Sequence, residues 1–307
     1  KSEAIVELGK PLQTIETETP TPKGKEVLLK ITHSGVCHSD VHIHDGYFDL
    51  GGGNKLPVGA MLNLPHTMGH EIEGEVVSIG SDVEDIEIGS NVVAYPWIGC
   101  GNCSTCSDGD EHYCNAPRQL GIQLPGGFAD YCIVPDSKYV LDYEGIRPGL
   151  AATYMCSGLT AFGALKKIVN VGDKDHILIM GLGGVGMMGL QFARSLFNCK
   201  ILAADIDPNK LQAAKGAGAD DVYDTSDEQS LKKLLEDTGG GVKATVDFVG
   251  AEKTLQYCLE STKKGGQVVV VGLFGGGFQM PIPMFPLSAK SIGGSFVGSL
   301  EETKEML

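Results

Sequence analysis

The feature that most constrains this chain is the run Gly181-Leu182-Gly183-Gly184-Val185-Gly186, set between two different hydrophobic rhythms. Before it, His176-Ile177-Leu178-Ile179-Met180 is a short, nearly continuous apolar run and reads as a strand buried on both faces. After it, Val185, Met188, Phe192 and Leu196 recur at helical spacing, which predicts a helix packed through those four. A G-x-G-x-x-G turn from buried strand to helix lets the backbone approach a pyrophosphate, whose charge the helix N-terminus stabilises. The pattern alone says little in a chain with 43 glycines; its flanking elements give it meaning. The segment 200–205 reads as the next buried strand, and Asp205 ends it, 19 residues beyond Gly186. An acidic residue there would hydrogen-bond the adenosine ribose and repel a 2′-phosphate, which favours NAD over NADP. Lys210 is placed to flank the same ribose. A tight turn without a ligand is the plainer alternative.

The rhythm continues downstream. Asp207-Pro208 reads as an N-cap followed by proline at the first helical position, and Gly216 as the stop of that helix. Residues 244–249 and 267–271 read as further strands, separated by a helix-like stretch over 251–264. Such alternation predicts a doubly wound parallel sheet, an α/β Rossmann domain over 157–300. The first half differs. Apolar runs at 27–31 and 74–79, punctuated by Gly, Pro and Asp, predict a β-rich domain over 1–156. The boundary is expected near Cys156-Ser157-Gly158.

Nine cysteines are present, and four of them form Cys100-x2-Cys103-x2-Cys106-x7-Cys114. Four thiolates at this spacing suit tetrahedral Zn²⁺ with no open position, hence a structural site in a lobe at about 97–115. An iron–sulfur cluster is the competing occupant, which spacing alone does not separate. Cys37, His70 and Cys156 are further candidates, but taken singly each also reads as a core residue. Cys132, Cys199 and Cys258 match no motif.

Bulk properties narrow the function. The formal net charge is −15, which disfavours nucleic acid and anionic membranes as partners. No apolar run approaches the ~20 residues of a membrane span. The N-terminal Lys1-Ser2-Glu3-Ala4 lacks the apolar block of a signal peptide, so a cytoplasmic protein is expected.

Two further motifs connect the scattered candidates. Gly35-Val36-Cys37-His38-Ser39-Asp40-Val41-His42 is followed by Gly69-His70-Glu71-x2-Gly74-x5-Gly80-x2-Val83. With the cysteine lobe, Cys156-Ser157-Gly158-Leu159-Thr160 and the glycine loop, in that order, the chain resembles zinc-containing medium-chain alcohol dehydrogenases along nearly its whole length. The resemblance implies that the first domain is a GroES-like catalytic domain and that a catalytic zinc is held by Cys37, His70 and Cys156, the two-Cys, one-His set that general zinc chemistry exemplifies with alcohol dehydrogenase. It implies two zincs per chain, NAD as cofactor, and reversible oxidation of primary or secondary alcohols. It also assigns roles. Ser39 contacts the substrate oxygen and His42 passes the proton to solvent; His38 meets the cofactor pyrophosphate. Asp40 orients the histidine ligand, Glu71 is a carboxylate beside the metal, Thr160 belongs to the cofactor site and Trp97 lines the substrate pocket. Capping or surface roles are the alternatives for Ser39, His42 and the carboxylates, and packing for Trp97. Family chains continue past 301–307, so this chain is expected to be a truncated form of a longer one. A homodimer or homotetramer is expected from the resemblance. Two other functions stay open: a polyol or other hydroxy-metabolite dehydrogenase, and a non-catalytic zinc- and nucleotide-binding protein.

Overall fold

Val27 and Leu29 are wholly buried at the start of strand β1 (Val27–Gly35), which pairs antiparallel with β2 (Glu71–Ile79). Both strands run beyond the apolar runs seen in the sequence. The pairing ends at Gly35 opposite Glu71. Adding β3 (Asn91–Ala94), β4 (Tyr131–Val134) and β5 (Val140–Leu141) gives a five-stranded sheet of order β5-β3-β2-β1-β4. A three-stranded antiparallel sheet of Ser2–Ile5, Gln13–Ile15 and His66–Thr67 lies in the same β-rich unit. Helix α1 (His38–Asp45) follows β1 directly, with Cys37 as its N-cap.

The second sheet has six strands, all parallel: β6 (His176–Met180), β7 (Lys200–Asp205), β8 (Asp221–Asp224), β9 (Val242–Asp247), β10 (Thr262–Val270) and β11 (Ser291–Gly294). Their order is β8-β7-β6-β9-β10-β11. Because strand side chains alternate between faces, Ile177, Ile179, Ile201 and Ala203 enter one core and Leu178, Met180, Leu202 and Ala204 the other. Helices α2 (Leu159–Lys166), α3 (Gly184–Leu196) and α4 (Pro208–Gly216) cover the first face; α5 (Ser230–Asp237) and α6 (Glu252–Ser261) cover the second. This is the doubly wound arrangement predicted from the alternation of apolar runs. Helix α4 starts as expected: Asp207 caps it by accepting from the Asn209 amide at 2.8 Å, with Pro208 first in the helix.

One expectation is corrected. The buried residues of α3 are Gly186, Gly189, Leu190 and Ala193; Val185, Met188 and Phe192 are half-buried and Leu196 is exposed. The packed face is turned because two glycines lie on it. A Cβ at Gly186 would sit 1.7 Å from the Gly181 carbonyl oxygen, and one at Gly189 would sit 2.6 Å from the Phe248 ring. Glycine lets the helix backbone rest on the sheet, and a pattern of large apolar residues cannot register that.

The computed structural model describes residues 1–307 as two units, one of 1–48, 56–159 and 298–307, the other of 49–55 and 160–297. The expected break after Cys156 therefore falls three residues later, and residues 301–307 join the β-rich unit. They form α7 (Leu300–Met306), capped reciprocally by Ser299 and Glu302, and place Met306 and Leu307 against Val93, Tyr143 and Met155. No helix is long and apolar enough to cross a membrane.

Candidate metal centres and nucleotide loop

The end of the β1–β2 pairing brings two distant residues side by side. Cys37 lies two residues past Gly35, and His70 one residue before Glu71. The third partner arrives on a helical turn. Tyr154–Gly158 is a single π-helical turn, which buries Cys156 and sets its Sγ 3.8 Å from Cys37 Sγ. The ligand atoms of Cys37, His70 and Cys156 all lie within 4.8 Å of one another. A tetrahedral zinc with Zn–S bonds of about 2.3 Å requires sulfurs about 3.8 Å apart.

Asp40 fixes this geometry. Its Oδ1 lies 3.1 Å from His70 Nδ1, and its Oδ2 accepts from the Cys37 amide at 2.9 Å. With Nδ1 engaged by a carboxylate, the other ring nitrogen presents its lone pair to the centre. His70 Nε2 is buried and has no hydrogen-bond partner in the protein, which is costly unless a cation takes it. Electrostatics agree. The Cys156 thiol beside it pulls the Cys37 thiol down to about 3, against the effect of burial. Burial opposes charge on His70, yet Asp40 and Cys37 outweigh it and push its pKa up to about 10. An anionic sulfur and a centre that stabilises positive charge fit a divalent cation, and three protein ligands leave a fourth position open.

Glu71 sits beside this centre. Its Oε1 accepts from Ser157 Oγ at 2.9 Å, and its Oε2 occupies space that any side chain at Gly35 would fill, 1.8 Å from an added Cβ. Burial, then the neighbouring Cys37 charge, raises it to about 7. On α1, Ser39 and His42 are both half-buried and stand three apart, hence neighbours on the helix surface. His42 stacks obliquely on Phe48 at 4.7 Å and on the exposed His38 at 5.1 Å. Trp97 is buried, with its ring 5.4 Å from that of His70 and its Nε1 donating to the Met155 carbonyl at 2.8 Å.

The four lobe cysteines converge as their spacing predicts. Their Sγ atoms lie within 4.8 Å of one another, with contacts of 3.5, 3.8 and 3.9 Å, and the Cys100 amide donates to Cys114 Sγ at 3.3 Å. This closed set of four thiols fits a tetrahedral metal with no open position.

In the second unit, Gly181 follows β6 with φ of 85°, Gly183 is the N-cap of α3, and Gly184, Val185 and Gly186 form its first turn. Asp205 ends β7, as expected, but its oxygens already serve the backbone. They accept from the amides of Leu182, Ile206 and Asp207 at 2.7, 2.8 and 3.0 Å, and Lys210 Nζ lies 3.8 Å away. Thr160 is half-buried near the start of α2.

Several contributors escaped the sequence reading. Ser157 sits in the motif Cys156-Ser157-Gly158-Leu159-Thr160, but its bond to Glu71 depends on the π turn, which leaves no mark in apolar spacing. Asp247 is wholly buried at the end of β9, accepting from the Val249 and Gly250 amides and Thr254 Oγ1. An aspartate ending a buried strand, three residues before a glycine, was its available signal. Glu111 is buried within the lobe and accepts from Lys138 Nζ, Tyr139 Oη and the Gly99 amide.

Comparison with known proteins agrees with this geometry. Residues 23–144 match the alcohol dehydrogenase GroES-like domain, and residues 184–307 match the zinc-binding dehydrogenase family. The chain is 38% identical over 296 residues to an NAD-dependent alcohol dehydrogenase of Saccharolobus solfataricus, covering 96% of this chain and 84% of that protein. Among solved structures, the alcohol dehydrogenase of Aeropyrum pernix superposes with a TM-score of 0.87 at 29% identity, covering 99% of this chain and 88% of the other. The D-arabinose dehydrogenase of Sulfolobus solfataricus gives 0.86 at 25% identity, covering 99% and 91%. The chain belongs to the zinc-containing medium-chain alcohol dehydrogenase family.

Proposed function

We propose that this protein oxidises primary or secondary alcohols reversibly to aldehydes or ketones, with hydride passing to NAD. The observation that carries this is the Cys37, His70 and Cys156 set, in which Cys37 is half-buried and the other two buried, with its orphaned His70 Nε2 and no fourth protein ligand. Relatives named as NAD-dependent alcohol dehydrogenases support it. In this reading Cys37, His70 and Cys156 hold a catalytic zinc, and Cys100, Cys103, Cys106 and Cys114 a structural one, two per chain. Zinc supplies Lewis acidity that makes an alcohol hydroxyl easier to deprotonate near neutral pH. NAD supplies the hydride acceptor.

The protein's own groups do the rest. Asp40 keeps the His70 ring oriented. Ser39 would take up the proton leaving the substrate hydroxyl as it gives up its own, and His42, three residues along the same helix, would deliver that proton to solvent. Histidine suits this step because its ordinary pKa lies near neutrality. Glu71, with its pKa raised to about 7 by burial, is poised to change protonation as ligands exchange. Trp97 walls the substrate side of His70. Gly181, Gly183, Gly184, Val185 and Gly186 hold the pyrophosphate, assisted by His38 and Thr160; Asp205 and Lys210 hold the adenosine ribose, and the Asp205 charge disfavours a 2′-phosphate.

A polyol or sugar substrate is the second reading, favoured by the similarity to a D-arabinose dehydrogenase. A second copy of this chain is the fitting partner. Strand β11 leaves one edge of the sheet open, and residues 273–289 carry no charge while exposing Phe274, Ile282 and Leu287. A symmetric dimer or tetramer would cover them. The nine cysteines are all unpaired, in keeping with a reducing, cytoplasmic setting. Metal analysis of the purified protein tests the metal assignment and is expected to give two zincs per chain. A single zinc, or iron in the lobe, would contradict it.

A further inference from the structure

We propose that Trp97 is a positioning residue that mechanically couples the four-cysteine site to the Cys37–His70–Cys156 centre. The inference rests on the reading that both are metal sites. Trp97 stands three residues before Cys100, in the segment leaving β3. Its indole reaches two parts of the other centre at once. The Nε1–H donates to the carbonyl of Met155, the residue before Cys156 and part of the π turn that aims that thiol. The ring lies 5.4 Å from the ring of His70. One side chain thus braces the backbone behind one ligand and the face of another.

The other end of the coupling is the backbone from Pro96 to Cys100, which is tied to the lobe and to the chain just after it. The Pro96 carbonyl accepts from the Leu120 amide at 3.0 Å, and the Ile98 carbonyl accepts from the Arg118 amide at 2.8 Å. The Gly99 amide donates to Glu111 at 3.1 Å, and the Cys100 amide donates to Cys114 Sγ at 3.3 Å. All four partners lie between residues 111 and 120, a stretch that begins inside the four-cysteine lobe, where a metal at Cys100, Cys103, Cys106 and Cys114 would fix its path. Without that metal the ties at Glu111 and Cys114 loosen, and the indole loses its fixed position against Met155 and His70. Coupling of this kind needs a contiguous chain of contacts, and each contact here is a hydrogen bond or ring packing within one unit of the protein.

Trp97 is the only tryptophan, so its fluorescence reports its own surroundings. The first measurement follows Trp97 emission and zinc release together while a coloured chelator strips zinc from the wild-type protein. The expected result is that emission changes as zinc leaves the four-cysteine site, and that the same change is present from the outset in Cys103→Ser. The second measures zinc release from Trp97→Phe, which keeps a ring beside His70 but removes the donor to Met155. Release from the three-ligand centre is expected to quicken about tenfold, the scale of losing a group that supports a metal ligand, while release from the four-cysteine site stays at the wild-type rate. Cobalt(II) in the three-ligand centre of Trp97→Phe should show a shifted visible band. The inference is overturned if Trp97 emission ignores the four-cysteine site in the wild-type titration, or if Trp97→Phe releases zinc at the wild-type rate with an unshifted cobalt band. A protein that holds no zinc at either site would instead sink the metal reading itself.

Discussion

At the scale of single residues, Asp40 does more than its position in a helix suggests. One carboxylate accepts from the Cys37 amide and engages His70 Nδ1, so it positions two candidate ligands that lie 33 residues apart in sequence. Asparagine has only one side-chain acceptor oxygen, so Asp40→Asn must turn its NH₂ toward one of these two donors. Zinc affinity of the three-ligand centre should fall about 10–100-fold, read by competition with a chelator of known affinity. Unchanged affinity would mean that the ring is held by packing instead. Residues of this class were legible only through their motif. Cys37, His70 and Cys156 each read as ordinary core residues until family resemblance joined them, because Cys37 and Cys156 stand 119 positions apart with no local signal of contact. The four lobe cysteines needed no such help, since their ligand geometry is local.

At the scale of elements, the alternation of apolar runs was enough to predict the parallel sheet, because buried strands and amphipathic helices differ in period. The packed face of α3 was not legible, because Gly186 and Gly189 pack through the absence of a side chain. The exchange of hairpin 49–55 and of residues 298–307 across the simple domain boundary was also hidden, since it arises from tertiary contacts. The cysteine lobe illustrates how an element with little core is held. Burial alone would raise the Glu111 carboxyl, but Lys138, Tyr139 and the Gly99 amide outweigh it and hold it below the ordinary carboxylate range. A depressed folded-state pKa stabilises the fold fully above the unfolded value of about 4, and this is lost as pH falls through the folded value. Glu111→Gln should therefore be less stable than the wild type near neutral pH, and the gap should close below roughly pH 4. Denaturant unfolding of both proteins across that range measures it; a gap independent of pH would assign the effect to packing.

At the scale of the whole molecule, the strongly acidic surface and the nucleotide loop have to be reconciled. The net charge of −15 would repel a dinucleotide at long range, so the proposed binding would depend on local groups, the amides at the α3 N-terminus foremost. Asp205, to which we assign cofactor selectivity, also ties the loop after β6 to the end of β7 through the Leu182 amide. Asp205→Ser should raise the use of NADP relative to NAD. It should also cost roughly 1–3 kcal/mol of stability, because buried amides lose their acceptor. Parallel initial rates with the two cofactors, and a denaturation midpoint, separate these effects; an unaltered cofactor ratio would confine Asp205 to that tie. The central claim is that the three-ligand centre and the nucleotide loop together oxidise alcohols. Its most direct test is the initial rate of NADH formation by the zinc-loaded protein with primary alcohols, secondary alcohols and polyols, alongside Cys37→Ser. The account predicts NADH from simple alcohols with the wild type and none above background with Cys37→Ser. NAD binding without NADH formation from any of these substrates, or equal rates in the two proteins, would contradict it.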